Sequence, residues 1–204
     1  ILDKILLYGG GFKPVHKGHF QVLKQGIQEL KPKHSIVFVG SKTRDGITQK
    51  MSVDIWNQYL KDHDMDNVSV VASKISPISD MVTIINDSNV VGSQVEPVAI
   101  LGAREGHDQD MQDIIQRSKS FENKGGRVHT VVTNDGGISG TKAREALMSG
   151  DIEAFSEYLP DGVDKQAILK IVQPNNMEEE KIEKAVDGAI NEIRSYMANP
   201  MSPV

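Results

Sequence analysis

The chain has 204 residues, with 23 Lys and Arg against 28 Asp and Glu, a formal charge of −5 and no cysteine. That length fits one domain with an appendage. The missing cysteines exclude a disulfide framework or a thiolate metal site and are compatible with a reducing compartment, while the net negative charge argues against general nucleic-acid binding.

No apolar run reaches membrane-spanning length and the N-terminus lacks a signal-peptide pattern, so a cytoplasmic location away from membranes is expected. The start at Ile1 rather than methionine reads as an excerpt or a lost native start.

An apolar stretch predicts a first strand at 4–8. It runs into Gly9-Gly10-Gly11-Phe12-Lys13-Pro14-Val15-His16-Lys17-Gly18-His19, and helical periodicity continues through 18–30. A helix N-terminus carries partial positive charge and unpaired N–H groups, so Lys13, His16, Lys17 and His19 are unfavourable there unless an anion shares the site. Gly9 to Gly11 are expected to let the backbone approach that anion, and Pro14 to fix the chain direction. The plainer alternative is a tight turn before an amphipathic surface helix with solvated histidines. A zinc site built on His16 and His19 is a second alternative, disfavoured because the spacing is unlike helical zinc pairs and no nearby acid completes the set.

A second strand at 35–39 leads into Ser41-Lys42-Thr43-Arg44-Asp45-Gly46-Ile47-Thr48-Gln49-Lys50, where Lys42 and Arg44 are candidates to hold a phosphate of a second substrate or departing pyrophosphate. A solvated loop is the alternative. Helix 52–63, strand 68–72 and helix 78–87 follow, then strand 98–101, whose end bears Gly102-Ala103-Arg104. For Arg104 the alternative to a ligand is a surface ion pair with Glu105 or Asp108. Helix 109–118 and strand 127–132 precede Gly137-Ile138-Ser139-Gly140-Thr141-Lys142-Ala143-Arg144, in which Ser139 or Thr141 can cap a helix over 141–148.

Short helices at 152–158 and 164–172 are expected to close the domain. Residues 173–176 then read as a linker to an amphipathic helix at 178–197, with a frayed end beyond. From Pro174 onward six acids face three bases, leaving the body nearly balanced, which suits a small anionic ligand. The apolar face of this last helix is expected either to pack on the domain or to mediate self-association, so a homo-oligomer is one outcome.

Strands alternating with helices predict an α/β fold: a Rossmann-like, doubly wound, five-stranded parallel sheet over 1–173, with a C-terminal helical appendage over 174–204. Ligands bind such sheets at the carboxyl ends of strands, near the switch point. The three motifs follow the first, fourth and fifth strands, which argues for a single site.

The His16-x-Gly18-His19 pattern resembles the signature of the nucleotidyltransferase superfamily, and class I aminoacyl-tRNA synthetases carry a related one. Lys50-Met51-Ser52 echoes a second synthetase signature but sits too early in the chain, and reads as chance. Ile138-Ser139-Gly140-Thr141-x-x-Arg144 is similar to the late Ile-Ser-Ser-Thr-x-x-Arg motif of nucleotidyltransferases, with Gly140 replacing a serine. Gly102-Ala103-Arg104 is similar to a motif of phosphopantetheine adenylyltransferases, whereas the first motif looks more like nicotinamide mononucleotide adenylyltransferases. The resemblance implies catalytic roles for His16, His19, Lys13, Arg44 and Arg144. It implies nucleotide binding by Gly10, Gly11, Phe12, Gly18, Gly102, Arg104, Ile138, Ser139 and Thr141, with Lys42 and Arg44 on the second substrate. It further implies transfer of AMP from ATP to a phosphate-bearing small molecule, with Mg²⁺ arriving on the nucleotide. Cytidylyltransferases show Arg-Thr before Gly-Ile-Ser-Thr-Thr, which this chain lacks. CTP use and a nucleotide-binding module without catalysis are the remaining alternatives.

Overall fold

The computed structural model describes residues 2–91, 94–134 and 138–198. Gly137 of the late motif and the expected frayed end at 199–204 lie outside the described residues.

Strands β1 (Asp3–Gly10), β2 (His34–Val39), β3 (Val68–Ala72), β4 (Val95–Arg104) and β5 (Arg127–Thr133) form one parallel sheet in the order β3-β2-β1-β4-β5. Between them run α1 (Lys17–Leu30), α2 (Gln49–Asp62), α3 (Pro77–Val91) and α4 (Asp108–Glu122). After β5 come α5 (Gly140–Met148), α6 (Ile152–Ser156), α7 (Lys165–Ile171) and α8 (Pro174–Ala198). Central β1 registers Leu7 against Ile36 of β2 and Ala99 of β4.

The two-residue period of the strands sorts side chains into two cores. Leu6, Tyr8, Val37, Val39, Val98, Ile100 and Val131 face α1 and α2 through Phe20, Leu23, Ile55, Trp56 and Tyr59. Leu7, Phe38, Ala99, Leu101 and Ala103 face α3 and α4 through Met81, Ile85, Ile114 and Phe121. Both faces are therefore covered, which explains why the strands read as continuous apolar runs. Phe155, Leu159, Val163, Ile168 and Val172 join the first core, so the short helices close the domain as expected.

Among the boundaries that differ from the sequence reading, three bear on the site or on the C-terminal helix. Helix α2 starts at Gln49 rather than 52 because Thr48 caps it, its Oγ1 accepting the Met51 N–H at 3.2 Å. Strand β4 continues to Arg104, so Gly102 and Arg104 are strand residues rather than turn residues. The expected linker at 173–176 is absent as such, because α8 begins at Pro174, a residue suited to a first helical turn whose N–H is unpaired anyway.

Of the two outcomes expected for the apolar face of α8, packing on the domain is not the one seen for its stripe. Ile182, Val186, Ile193 and Met197 stay exposed, Met197 at 74 %. No described helix is long and apolar enough to cross a membrane.

Candidate active site

The glycine run divides into three jobs. A Cβ on Gly9 would stand 2.7 Å from Met81 Sδ and 2.8 Å from Pro77 Cβ, so the missing side chain there admits α3. A Cβ on Gly10 would stand 2.8 Å from the Phe12 ring. Only Gly11 of the three faces open space. All three still line the cleft, but the missing side chain is required by α3 at Gly9 and by Phe12 at Gly10, and Phe12 itself adopts a left-handed backbone at φ 52°.

That unusual conformation is held from behind. The Phe12 ring meets Tyr8, His19 and Trp56 edge-on, and Ser52 Oγ donates to the Phe12 carbonyl at 2.5 Å. Tyr59 donates to the Val15 carbonyl at 2.9 Å. Lys13 turns inward, its Nζ donating to the carbonyls of Gly11 and, at 2.9 Å, Gly40. Burial and the positive Lys184 bring its pKa down to about 8.

The two histidines cap α1. His16 Nδ1 accepts the Gly18 N–H at 3.1 Å, and His19 Nδ1 accepts the His16 N–H at 3.2 Å. A backbone N–H can only donate, so each Nδ1 is an acceptor and each neutral ring carries its proton on Nε2. The rings stack with centroids 3.7 Å apart. Burial first, then Arg104 and Lys17, lower His16 to about 4; burial first, then His16, holds His19 well below the usual histidine range. Both rings are therefore neutral hydrogen-bond donors at physiological pH.

This arrangement opposes a zinc site, since a protonated Nε2 offers a metal no lone pair, and shifting the proton to Nδ1 would break the helix cap. Among the described residues no three His, Asp or Glu side chains form a group that could hold a metal ion.

A depressed histidine pKa also makes a stability prediction. Below an unfolded value of about 6.5 the unfolded chain takes up a proton that buried His16 refuses, so stability should fall as pH drops toward 4, by about 3 kcal/mol from this group. Urea denaturation between pH 7 and pH 4 measures it, and a flat profile would contradict the assigned burial. His16→Asn, which can still cap, should flatten the curve.

The late motif meets the first across the strand ends. Ser139 caps α5, its Oγ accepting the Lys142 N–H at 3.3 Å. One turn on, the Arg144 guanidinium donates to the Lys13 carbonyl at 2.7 Å, to Thr141 Oγ1 at 3.2 Å and to Asp45 at 3.1 Å. Segments 131 residues apart in the chain are thus directly bonded.

Two adjoining hollows result. One, of about 370 Å³, is lined by Gly10, Gly11, Phe12, His16, Gly18, His19, Gly102, Arg104, Ile138 and Ser139, together with Asp110 and Arg117. The other, of about 650 Å³, is lined by Lys13, Lys42, Thr43, Arg44, Thr141 and Arg144. Gly11, Phe12, His19 and Gly140 belong to both. Every residue expected at the site therefore lies on one continuous cleft.

Two of those residues are engaged differently from expectation. Arg104 forms an ion pair, though with Asp110 rather than Glu105 or Asp108: its Nε and Nη2 reach the carboxylate at 2.8 and 3.0 Å, and its backbone N–H adds a third bond at 3.0 Å. The turn after β4 folds the first turn of α4 back over the strand end, which sequence spacing alone did not reveal. Gly102 lines the cleft, yet a Cβ there would stand 2.7 Å from Val22 Cγ2, so its missing side chain serves the packing of α1 on β4. Asp45, Asp110, Arg117 and Ser52 were missed; Asp45 lay within the quoted 41–50 loop, where only its cations drew notice, and Ser52 within the Lys50-Met51-Ser52 echo, where it is buried structure.

A family model described as cytidylyltransferase-like matches residues 7–146, from within β1 to α5. The chain belongs to the cytidylyltransferase-like family. The matched region of this nucleotidyltransferase family includes every residue of both motifs that lines the cleft. No curated protein matches the sequence.

Among solved structures, Plasmodium falciparum nicotinic acid mononucleotide adenylyltransferase complexed with APC aligns at TM-score 0.61 and 15 % identity, covering 86 % of this chain and 98 % of that one. A bifunctional NMN adenylyltransferase/ADP ribose pyrophosphatase from Francisella tularensis, complexed with AMP and a manganese ion, aligns at 0.58 and 15 % identity, covering 100 % and 58 %. Thermotoga maritima TmcAL bound with alpha-thio ATP aligns at 0.51 and 13 % identity, covering 84 % and 55 %. The chain spans little more than half the length of the latter two. At such identities the likeness is one of fold.

Proposed function

We propose that this family member transfers AMP from ATP to a phosphate-bearing small molecule, of nicotinamide mononucleotide or phosphopantetheine type, and releases pyrophosphate. The observation that carries the reading is the junction of the two motifs: neutral His16 and His19, each with its proton on Nε2, share one cleft with Ser139, Thr141 and Arg144. An acceptor phosphate oxygen forms a bond to the α-phosphorus while the bond from that phosphorus to the bridging oxygen breaks, and the electron pair leaves on pyrophosphate. No covalent enzyme intermediate is needed, only in-line positioning and stabilisation of charge on the leaving oxygens.

The residues divide accordingly. His16 and His19 donate Nε2–H bonds to phosphate oxygens as charge develops. Gly10, Gly11, Phe12, Gly18, Gly102, Arg104, Ile138, Ser139 and Thr141 form the nucleotide's bed. Lys13, Arg44 and Arg144 contribute positive charge around the triphosphate, and Lys42 with Arg44 meets the acceptor's phosphate. Mg²⁺ carried on the triphosphate would offset charge on the leaving oxygens.

Adenylyl transfer is favoured over cytidylyl transfer because the Arg-Thr pair is absent before Gly137, and because solved relatives of the same fold are described with AMP or ATP analogues. The test is incubation with ATP or CTP, Mg²⁺ and a panel of phosphate acceptors, with pyrophosphate measured. Release with ATP and one acceptor is expected. Release with CTP alone would name a cytidylyltransferase, and tight ATP binding without release across a broad panel would name a binding module.

A further inference from the structure

Helix α8 lies outside the region matched by the family model, which ends at residue 146, yet one of its side chains reaches a residue that lines the cleft. Lys184 Nζ stands 3.4 Å from Thr43 Oγ1, and Thr43 lines the hollow formed by Lys13, Lys42, Arg44, Thr141 and Arg144. Its charge is also felt at Lys13, where it is the second cause of the lowered pKa. Like charges repel, so a helix bringing another cation to a rim already lined by Lys42 and Arg44 is unfavourable by itself. Asp45, the acid of that loop, is bonded to Arg144. The surplus of positive charge is offset once an anion occupies the hollow.

We infer that Lys184, reaching the rim of the hollow from α8, is a binding residue for a phosphate group held there. The inference rests on the proposed nucleotidyl transfer and extends it to a segment beyond the family's domain. A lysine on a long flexible stem suits this task, because it supplies a point charge that can follow a phosphate without demanding one geometry. Thr43 sets the resting position of the ammonium at the rim. The phosphate belongs either to the nucleotide's polyphosphate or to the acceptor, and the two are separable by experiment.

The experiment compares the full chain with Lys184→Gln, Lys184→Arg and, as a control on the same helix, Arg194→Gln. ATP binding is titrated first; inorganic phosphate is then titrated with a non-hydrolysable ATP analogue already saturating. Lys184→Gln should weaken one of these by about fivefold, the scale of one charge-assisted hydrogen bond at an exposed rim. Lys184→Arg should restore most of it, and Arg194→Gln should change nothing. Thermal melting should be unaltered in all three, since Lys184 is exposed. Weakened ATP binding assigns Lys184 to the polyphosphate; weakened phosphate binding with ATP unaffected assigns it to the acceptor. If the unaltered chain binds ATP and phosphate and Lys184→Gln binds both equally well, the assignment of Lys184 is wrong while nucleotidyl transfer stands. If the unaltered chain binds neither, both readings fall.

Discussion

Replacing His19 by alanine is expected to lower turnover by about 10³-fold while reducing stability by only about 2 kcal/mol. The two effects have separate origins in one ring. Nδ1 accepts the His16 N–H and so contributes to the start of α1, whereas on the proposed function Nε2–H is the donor to phosphate oxygens in the cleft that His19 lines. Losing the first is a cap deletion of ordinary size. Losing the second removes a preoriented donor at the point where charge develops. His19→Gln sharpens the test, because glutamine at this position keeps a capping box and should recover stability without recovering turnover. Pyrophosphate release and urea denaturation on the same preparations measure the pair. Proportionate losses in both would show that the ring is structural only.

Arg144→Lys should reduce kcat/KM by about 10²-fold even though the charge is retained. The guanidinium reaches three groups on three segments at once: the Lys13 carbonyl after the glycine run, Asp45 in the loop after β2, and Thr141 on its own helix. A single ammonium cannot span that set, so the hollow's walls would lose their common tie. Steady-state kinetics in varied ATP reads the effect, and a variant within threefold of the unaltered chain would refute the bridging role. Arg144→Met should be worse than Arg144→Lys, since it removes the charge as well.

The sheet was legible because its strands are covered on both faces. Runs such as Ile5-Leu6-Leu7-Tyr8 and Ile36-Val37-Phe38-Val39 need no partner to identify them, and their ends locate the motifs. The site was legible where side-chain type and backbone geometry coincide, as at His16 and His19. What stayed hidden depends on contacts across the fold. Gly9 and Gly102 look like ligand-facing glycines, but each is small because a helix side chain presses on it, Met81 in one case and Val22 in the other. Asp110 could not be matched to Arg104 without the turn that brings α4 back over β4. Pro174 looked like a breaker because proline signals both an interruption and a helix beginning, and only tertiary context separates the two. The exposed side of α8 was unreadable for a related reason: periodicity shows that a stripe exists, not that anything covers it.

The use of Nδ1 in both rings to start α1 has a consequence for how this chain can change. Proton placement on the outer nitrogens is decided when the helix forms, before any nucleotide arrives, so readiness for chemistry is inherited from folding itself. Drift in the loop after β2 or in the C-terminal helix can alter what is bound while leaving that readiness intact, whereas any shift of the first helix retunes both donors together.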